Sequence, residues 1–246
     1  MNPSAYTPAL RHMLIGTLFC TLAAAGWYAF TQHPNRIFQR TKADFQQHWQ
    51  TRIAPLYDTI YQLTIAAPTA WQADAQLCST TLQQISQIDP TRLSQRYRAE
   101  RQHFERQLHE RLSQIQTWQT DPAHYNLGGA LKATLVNPDF SMDIRLLQLE
   151  AQLREAPRYY AIAKSNLARP DSARTKLAID KQLLGLRFIE SELADSLQLA
   201  NLSDAQHAAI ATHTYAARLA LKDYIAFCRS LLFEMRNAAV RAPTPE

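Results

Sequence analysis

From Phe45 the apolar residues recur at Trp49, Ile53, Leu56, Ile60 and Leu63. Steps of three and four place them on one side of a 3.6-residue turn, so the pattern predicts one amphipathic helix, with Pro55 kinking it or lying in its first turn. Ala67-Pro68 closes that element, and a second helical run passes through Trp71, Leu77, Leu82, Ile85 and Ile88. Asp89-Pro90 reads as cap and first helical residue of a longer helix carrying Leu93, Tyr97, Phe104, Leu108, Leu112 and Ile115, ending near Trp118. Thr120-Asp121-Pro122 breaks the pattern, Gly128-Gly129 falls in a glycine-bearing loop, and a short helical piece reaches Val136 before Asn137-Pro138-Asp139. A helix from about Met142 to Glu155 shows Leu146, Leu149 and Leu153 on one face, and Pro157 reads as the start of a separate helix through Tyr160 and Ile162 to Leu167. After Arg169-Pro170-Asp171, Ser172 is the expected cap of a long helix whose stripe is Leu177, Leu184, Phe188 and Leu193, flanked by Ile189 and Leu197. Ser203-Asp204-Ala205-Gln206 fits a capping box opening a last helix to about Val240.

Composition strengthens this picture. Only 5 of the 246 residues are glycine, well under the usual share of about 7%, which argues against hairpins and phosphate-cradling loops. The fold class is all-α, a multi-helix bundle of amphipathic helices. Three parts are expected: residues 1–32 as a signal anchor or signal peptide, 33–242 as the helical domain, and 243–246 as a disordered tail. Met13 to Phe30 holds no charged residue, and at about 1.5 Å per residue it nearly spans a hydrocarbon core. The expected partner of residues 9–30 is therefore a membrane. Trp27 and Tyr28 suit an interfacial belt, whereas Ala23-Ala24-Ala25 offers a signal-peptidase site as the alternative. Arg36, Arg40 and Lys42 after the span, against Arg11 before it, favour a cytoplasmic domain.

The formal charge is +5. Arg92, Arg96, Arg98, Arg101, Arg106 and Arg111 are interleaved with Glu100, Glu105 and Glu110, and Arg101/Glu105 and Arg106/Glu110 lie four apart. This is the pattern of a solvated, ion-paired helix face rather than a nucleic-acid interface, and no nucleic acid is expected as partner. Cys78 and Cys228 read as buried small hydrophobes or, in an exported domain, a pair. Zinc hydrolases of the His-Glu helix type need a second His four residues after the first, but His109-Glu110 is followed by Ser113 at that place. No nucleophile elbow exists. No catalytic residue, metal ligand or cofactor is assigned. The segment Thr120 to Gly129 concentrates polar, aromatic and glycine residues, as binding loops do, and supplies Asp121, His124, Tyr125 and Asn126 as candidate binding residues. Arg154, Arg158 and Tyr159, beside Tyr160, form a second candidate cluster, suited to an anionic group or to covering the bundle surface. Asp121 as a cap and Tyr125 over the core edge are the corresponding structural roles.

An Arg-rich helix ending in Trp118 is followed by Asp121-Pro122-x-x-Tyr125, then Leu153-Arg154, Ala156-Pro157-Arg158-Tyr159, Asn166-Leu167-Ala168-Arg169-Pro170, a helix from Thr175 with Ala178-Ile179 and Gly185, and a helix ending Tyr224 to Leu232. In this order the chain resembles, over Asp89 to Leu232, the N-terminal half of the bacterial proteins called domain of unknown function 885. The resemblance implies an exported helical scaffold, which in relatives helps wall a gluzincin-like peptidase cleft. It places the helical domain in the periplasm, held at the inner membrane, or secreted or periplasmic after cleavage. The zinc-bearing H-E-x-x-P-G-H element of those relatives has no counterpart here. The expected function is a non-catalytic, membrane-anchored helical binding or scaffold module of the bacterial envelope with a protein or peptide partner. The alternative is the N-terminal part of a split or truncated metallopeptidase whose zinc site lies on another chain.

Overall fold

In the computed structural model, which describes residues 33–241 except 62, 199 and 201, most of the backbone is helical. The anchor or signal segment and the C-terminal tail lie outside the described residues. Among those residues no helix is long and apolar enough to cross a membrane. The chain divides into two units, described separately.

Residues 33–49 and 77–109 make the first unit. Helix α1 (Pro34–His48) starts with Pro at its first position, and His33 accepts from the Asn35 backbone N–H. Parts of α2 (Pro68–Ser86) and α3 (Gln95–Thr120) complete the unit. Phe38, Cys78, Ile85, Phe104 and Leu108 are buried, and Phe104 meets Phe38 and Phe45 edge-on at centroid distances of 6.4 and 5.4 Å. Arg101–Glu105 at 2.9 Å, one of the expected i,i+4 pairs, and Lys42–Glu100 at 2.6 Å border this core, part-buried instead of fully solvated. Asp89 does cap, accepting from the Thr91 N–H, but the turn it opens is a single 3-10 turn, Pro90–Arg92. The long helix begins only at Gln95. Leu93 takes an extended conformation there and is 3% exposed, so its burial draws the chain out of the helical path.

Residues 50–76 and 110–241 make the second unit. Here the expected single helix through Ile53, Ile60 and Leu63 is wrong. A π-helical turn (Trp49–Ile53) and a 3-10 turn (Ala54–Leu56) lead into an antiparallel hairpin of β1 (Tyr57–Ile60) and β2 (Leu63–Ala66), paired Tyr57↔Ala66 through Ile60↔Leu63. The residues explain it. Pro55 has no N–H to continue a helix, and Thr59, Ile60, Thr64 and Ile65 are β-branched and stiff at χ1. Leu63 and Ile65, two apart, are both buried. Tyr61 enters the turn at φ 53°, the left-handed region where glycine is usual, so the scarcity of glycine does not prevent the hairpin.

Gly128 and Gly129, expected in a loop, lie in α4 (Leu127–Leu135), which Asn126 caps by accepting from the Gly129 N–H. A Cβ on Gly128 would lie 2.2 Å from the Gly185 Cα, so the pair lets the backbones of α4 and α6 (Ser172–Glu190) touch. Pro157 does not restart a helix: α5 (Met142–Asn166) runs through it unbroken, with Leu153, Ala156, Tyr160 and Ala163 buried around it. One lost backbone bond is offset by that packed face. Asp171, not Ser172, caps α6. Leu177 and Leu184 are exposed, and α6 instead buries Thr175, Ala178, Gln182, Gly185, Phe188 and Ile189. Leu193 belongs to a separate short helix, α7 (Glu192–Gln198). The capping box stands as expected: Ser203 and Gln206 exchange backbone and side-chain bonds at the head of α8 (Asp204–Arg241). Helix α8 packs on both α5 and α6, and α4 covers α6 and α5, enclosing the larger core.

Candidate functional site

The end of α3 and the segment after it carry the most unusual side-chain arrangement. Asp121 caps a 3-10 turn (Pro122–His124) by accepting from the Ala123 N–H at 2.9 Å. That turn drops Tyr125 inward to 2% exposure, much deeper than a core edge, and its hydroxyl donates to the Trp118 carbonyl at 2.9 Å. Gln182, wholly buried on α6, donates to the Tyr125 carbonyl and accepts from the Tyr160 hydroxyl. Tyr224 on α8 donates to the Pro122 carbonyl. These bonds fix the segment from three helices, because an unpaired buried carbonyl or hydroxyl is costly.

A cavity of about 160 Å³ opens beside it, lined by Leu63, Thr64, Trp118, His124, Tyr125, Asn126 and Tyr159. Trp118 lies 4.7 Å from His124 at a tilt of 41° and 6.2 Å edge-on from Tyr125, and Tyr125 lies 5.9 Å edge-on from both His124 and Tyr159. Four of the candidates read from the sequence, His124, Tyr125, Asn126 and Tyr159, therefore share one cavity. Asp121 sits behind it as a cap, 3.7 Å from Arg174. Arg154 and Arg158 do not contribute. Arg158 pairs with Asp58 at 2.7 Å and with Glu155 at 3.5 Å, and Arg154 with Glu155 at 3.7 Å, all on the surface. The second cluster thus splits: its arginines face outward while Tyr159 and Tyr160 are buried instead of covering the surface.

Burial pushes the Tyr125 and Tyr159 phenols above the ordinary tyrosine range, so both stay protonated and act as hydrogen-bonding groups, not bases. Desolvation lowers the His124 pKa, with the Lys181 cation acting in the same direction against the nearby Asp121, so its imidazole is neutral near pH 7. The buried Cys228 thiol is pushed up to about 11, a poor nucleophile at neutral pH. Among the described residues no three of His, Cys, Asp and Glu gather as a metal would require.

Periodicity does not reveal Leu63 and Thr64, which reach the cavity from the hairpin, because the apolar spacing of residues 53–63 is that of a helix. The alternation of Leu63 and Ile65 with Thr64 was the available signal. Also missed was the wholly buried Asp74, bonded to Arg111 at 2.8 Å and to the Tyr57 hydroxyl at 2.7 Å, with Arg111 5.0 Å over the Tyr57 ring. Its partners lie far along the chain, beyond any local pattern. Next to it Trp71 meets Tyr57 and Trp118 edge-on and donates to the Ala66 carbonyl, joining hairpin, α2 and α3.

The class that emerges is a helical bundle braced by one hairpin, with a small aromatic-walled cavity where they meet. No family model and no curated protein matches the chain. A solved structure described as a lipoprotein of unknown function from Shewanella oneidensis matches with a TM-score of 0.59 at 20% identity, over 81% of this chain and 38% of that one. The likeness is one of fold, and this chain spans less than half the length of that protein.

Proposed function

We propose that this chain is a non-catalytic binding module of the bacterial cell envelope, which receives a side chain of a peptide or protein partner in the cavity beside Tyr125. The observation that carries this reading is the state of the cavity wall. The Tyr125 hydroxyl is engaged with the backbone and the Asn126 side-chain carbonyl with the Gly129 N–H, the phenols stay protonated, and the neutral His124 imidazole with Thr64 is left to face a visitor. Such a wall orients a ligand by hydrogen bonds and ring contacts; it carries no activated nucleophile. Envelope residence is supported by the uncharged Met13–Phe30 stretch and by the description of the structural neighbour as a lipoprotein.

The test is selection of peptides from a random display library on the purified chain, followed by titration against Thr64→Trp, which fills the cavity, and His124→Ala. Loss of about 1.4 kcal/mol or more, tenfold in Kd, in the filled variant is expected. Selected peptides that bind both variants as tightly as the parent chain would place the partner elsewhere. Fractionation of the expressing cell accompanies it, and recovery in the cytosol would remove the envelope assignment.

A second reading rests on the resemblance carried by Asp121-Pro122-x-x-Tyr125, Ala156-Pro157-Arg158-Tyr159 and Asn166-Leu167-Ala168-Arg169-Pro170. In it the chain is kin to the N-terminal half of the domain of unknown function 885 proteins and serves as the helical part of a split metallopeptidase. A neighbouring reading frame encoding H-E-x-x-P-G-H, whose product co-purifies with this chain and cleaves peptides only in its company, is the expected result. A genome without such a frame sinks it.

A further inference from the structure

Away from the aromatic cavity, the start of α6 and the last turns of α8 enclose an open groove of about 520 Å³ lined by Ser172, Lys176, Arg229, Leu232, Phe233, Met235 and Arg236. Positions 229, 232, 233 and 236 follow the i, i+3, i+4, i+7 spacing of one helix face, and 172 and 176 are one turn apart on α6. The groove therefore has an apolar floor and a rim of three cations. None of Lys176, Arg229 and Arg236 is in an ion pair among the described residues, whereas Arg154, Arg158, Arg174 and Arg218 of the second unit are. Among the described residues no carboxylate lines it. Phe233 is 66% exposed, an uncommon position for a phenylalanine on a helix whose neighbouring turns are buried at Tyr224, Ile225 and Cys228. An exposed ring flanked by unpaired arginines is the arrangement by which a helix end settles into the headgroup layer, with the ring among the acyl chains and the guanidinium groups on phosphates.

We propose that this groove docks on an anionic phospholipid surface, holding a phosphate between Lys176, Arg229 and Arg236 while Phe233, Leu232 and Met235 enter the acyl region. Charge complementarity selects this occupant: three cations without a counter-carboxylate call for an anionic layer, and an open groove with a protruding ring suits a surface of mobile chains. The site is separate from the cavity beside Tyr125 and stands whether or not that cavity binds a peptide. It would lay the far end of α8 on the membrane.

The test is hydrogen exchange over the peptide containing 229–236, in the full chain reconstituted into vesicles of phosphatidylcholine alone or with added phosphatidylglycerol. This local readout is independent of whatever residues 1–32 contribute. Exchange is expected to slow with the anionic vesicles, and the effect to fall by about fivefold for each cation removed in R229Q/R236Q. Phe233→Ser should weaken it as well, with the helical circular dichroism of both variants unchanged. Equal protection in the two kinds of vesicle, or protection retained in R229Q/R236Q, would overturn the proposal. So would stronger protection from an acidic, leucine-rich peptide added to phosphatidylcholine vesicles, which would assign the groove to a protein partner.

Discussion

The two units hold themselves together by different means. In the first, Phe38, Phe45 and Phe104 pack ring against ring, with ion pairs such as Lys42–Glu100 outside them. In the second, tyrosines at 125, 160 and 224 are buried with their hydroxyls bonded to named acceptors, Gln182 is wholly buried between two of them, and two glycines bring helix backbones into contact. Apolar contacts tolerate exchange of one shape for another of similar volume, whereas hydrogen bonds in a dry interior tolerate neither a missing nor a displaced partner. The candidate cavity lies in the second kind of core. Its walls are held by directional bonds, which is what fixed positions for a ligand require.

The largest effect is expected at the glycine contact between α4 and α6. Gly128→Val would drive a branched side chain into the Gly185 backbone and should cost about 3 kcal/mol, seen as faster hydrogen exchange in peptides from α4 and α6. A stability equal to the parent chain would mean that the two helices are not in contact there. Next in size is Gln182→Leu, nearly isosteric but unable to serve the Tyr160 hydroxyl or the Tyr125 carbonyl; a loss of about 2 kcal/mol is expected. The matched change in the first unit, Phe104→Leu, should cost less, under about 1.5 kcal/mol, because only contact volume changes. If denaturant titrations reverse that order, the distinction between the two cores fails. The smallest effect concerns pH. The His124 pKa is lowered in the folded chain, so the unfolded chain binds the proton more readily. The stability from the neutral imidazole is present above the ordinary histidine value and is lost as pH falls from there through the depressed folded value. Thermal melts at pH 7.5 and 5.5 should show a slightly larger loss for the parent chain than for His124→Gln. Identical losses would show that His124 is as solvated folded as unfolded.

Where apolar spacing alone decides an element, the sequence was a good guide. It marked α2, the body of α3 and the capping box at Ser203, each settled by residues within a turn of one another. It also singled out His124, Tyr125 and Asn126, because a polar and aromatic break between helices is visible locally, and Tyr159 as part of a cluster whose arginines turn outward. It misled at Pro157, where the buried face around Tyr160 overrides the lost backbone bond, and at Leu177 and Leu184, exposed because α6 turns the face of Ala178, Gln182, Gly185 and Ile189 to the core.

By itself, then, the sequence determined the helical class, several helix ends and the location of the unusual segment, since propensity, capping and turn chemistry act over a few residues. The tertiary structure decided the rest: that residues 57–66 pair as a hairpin, that Gly128 meets Gly185, that Asp74 finds Arg111, and that Arg158 turns away from the cavity toward Asp58. Each of these joins residues distant along the chain or opposes a local preference. The free energy of burial and of satisfying buried polar groups exceeds propensities of a few tenths of a kcal/mol, and it exists only once the distant partner is in place.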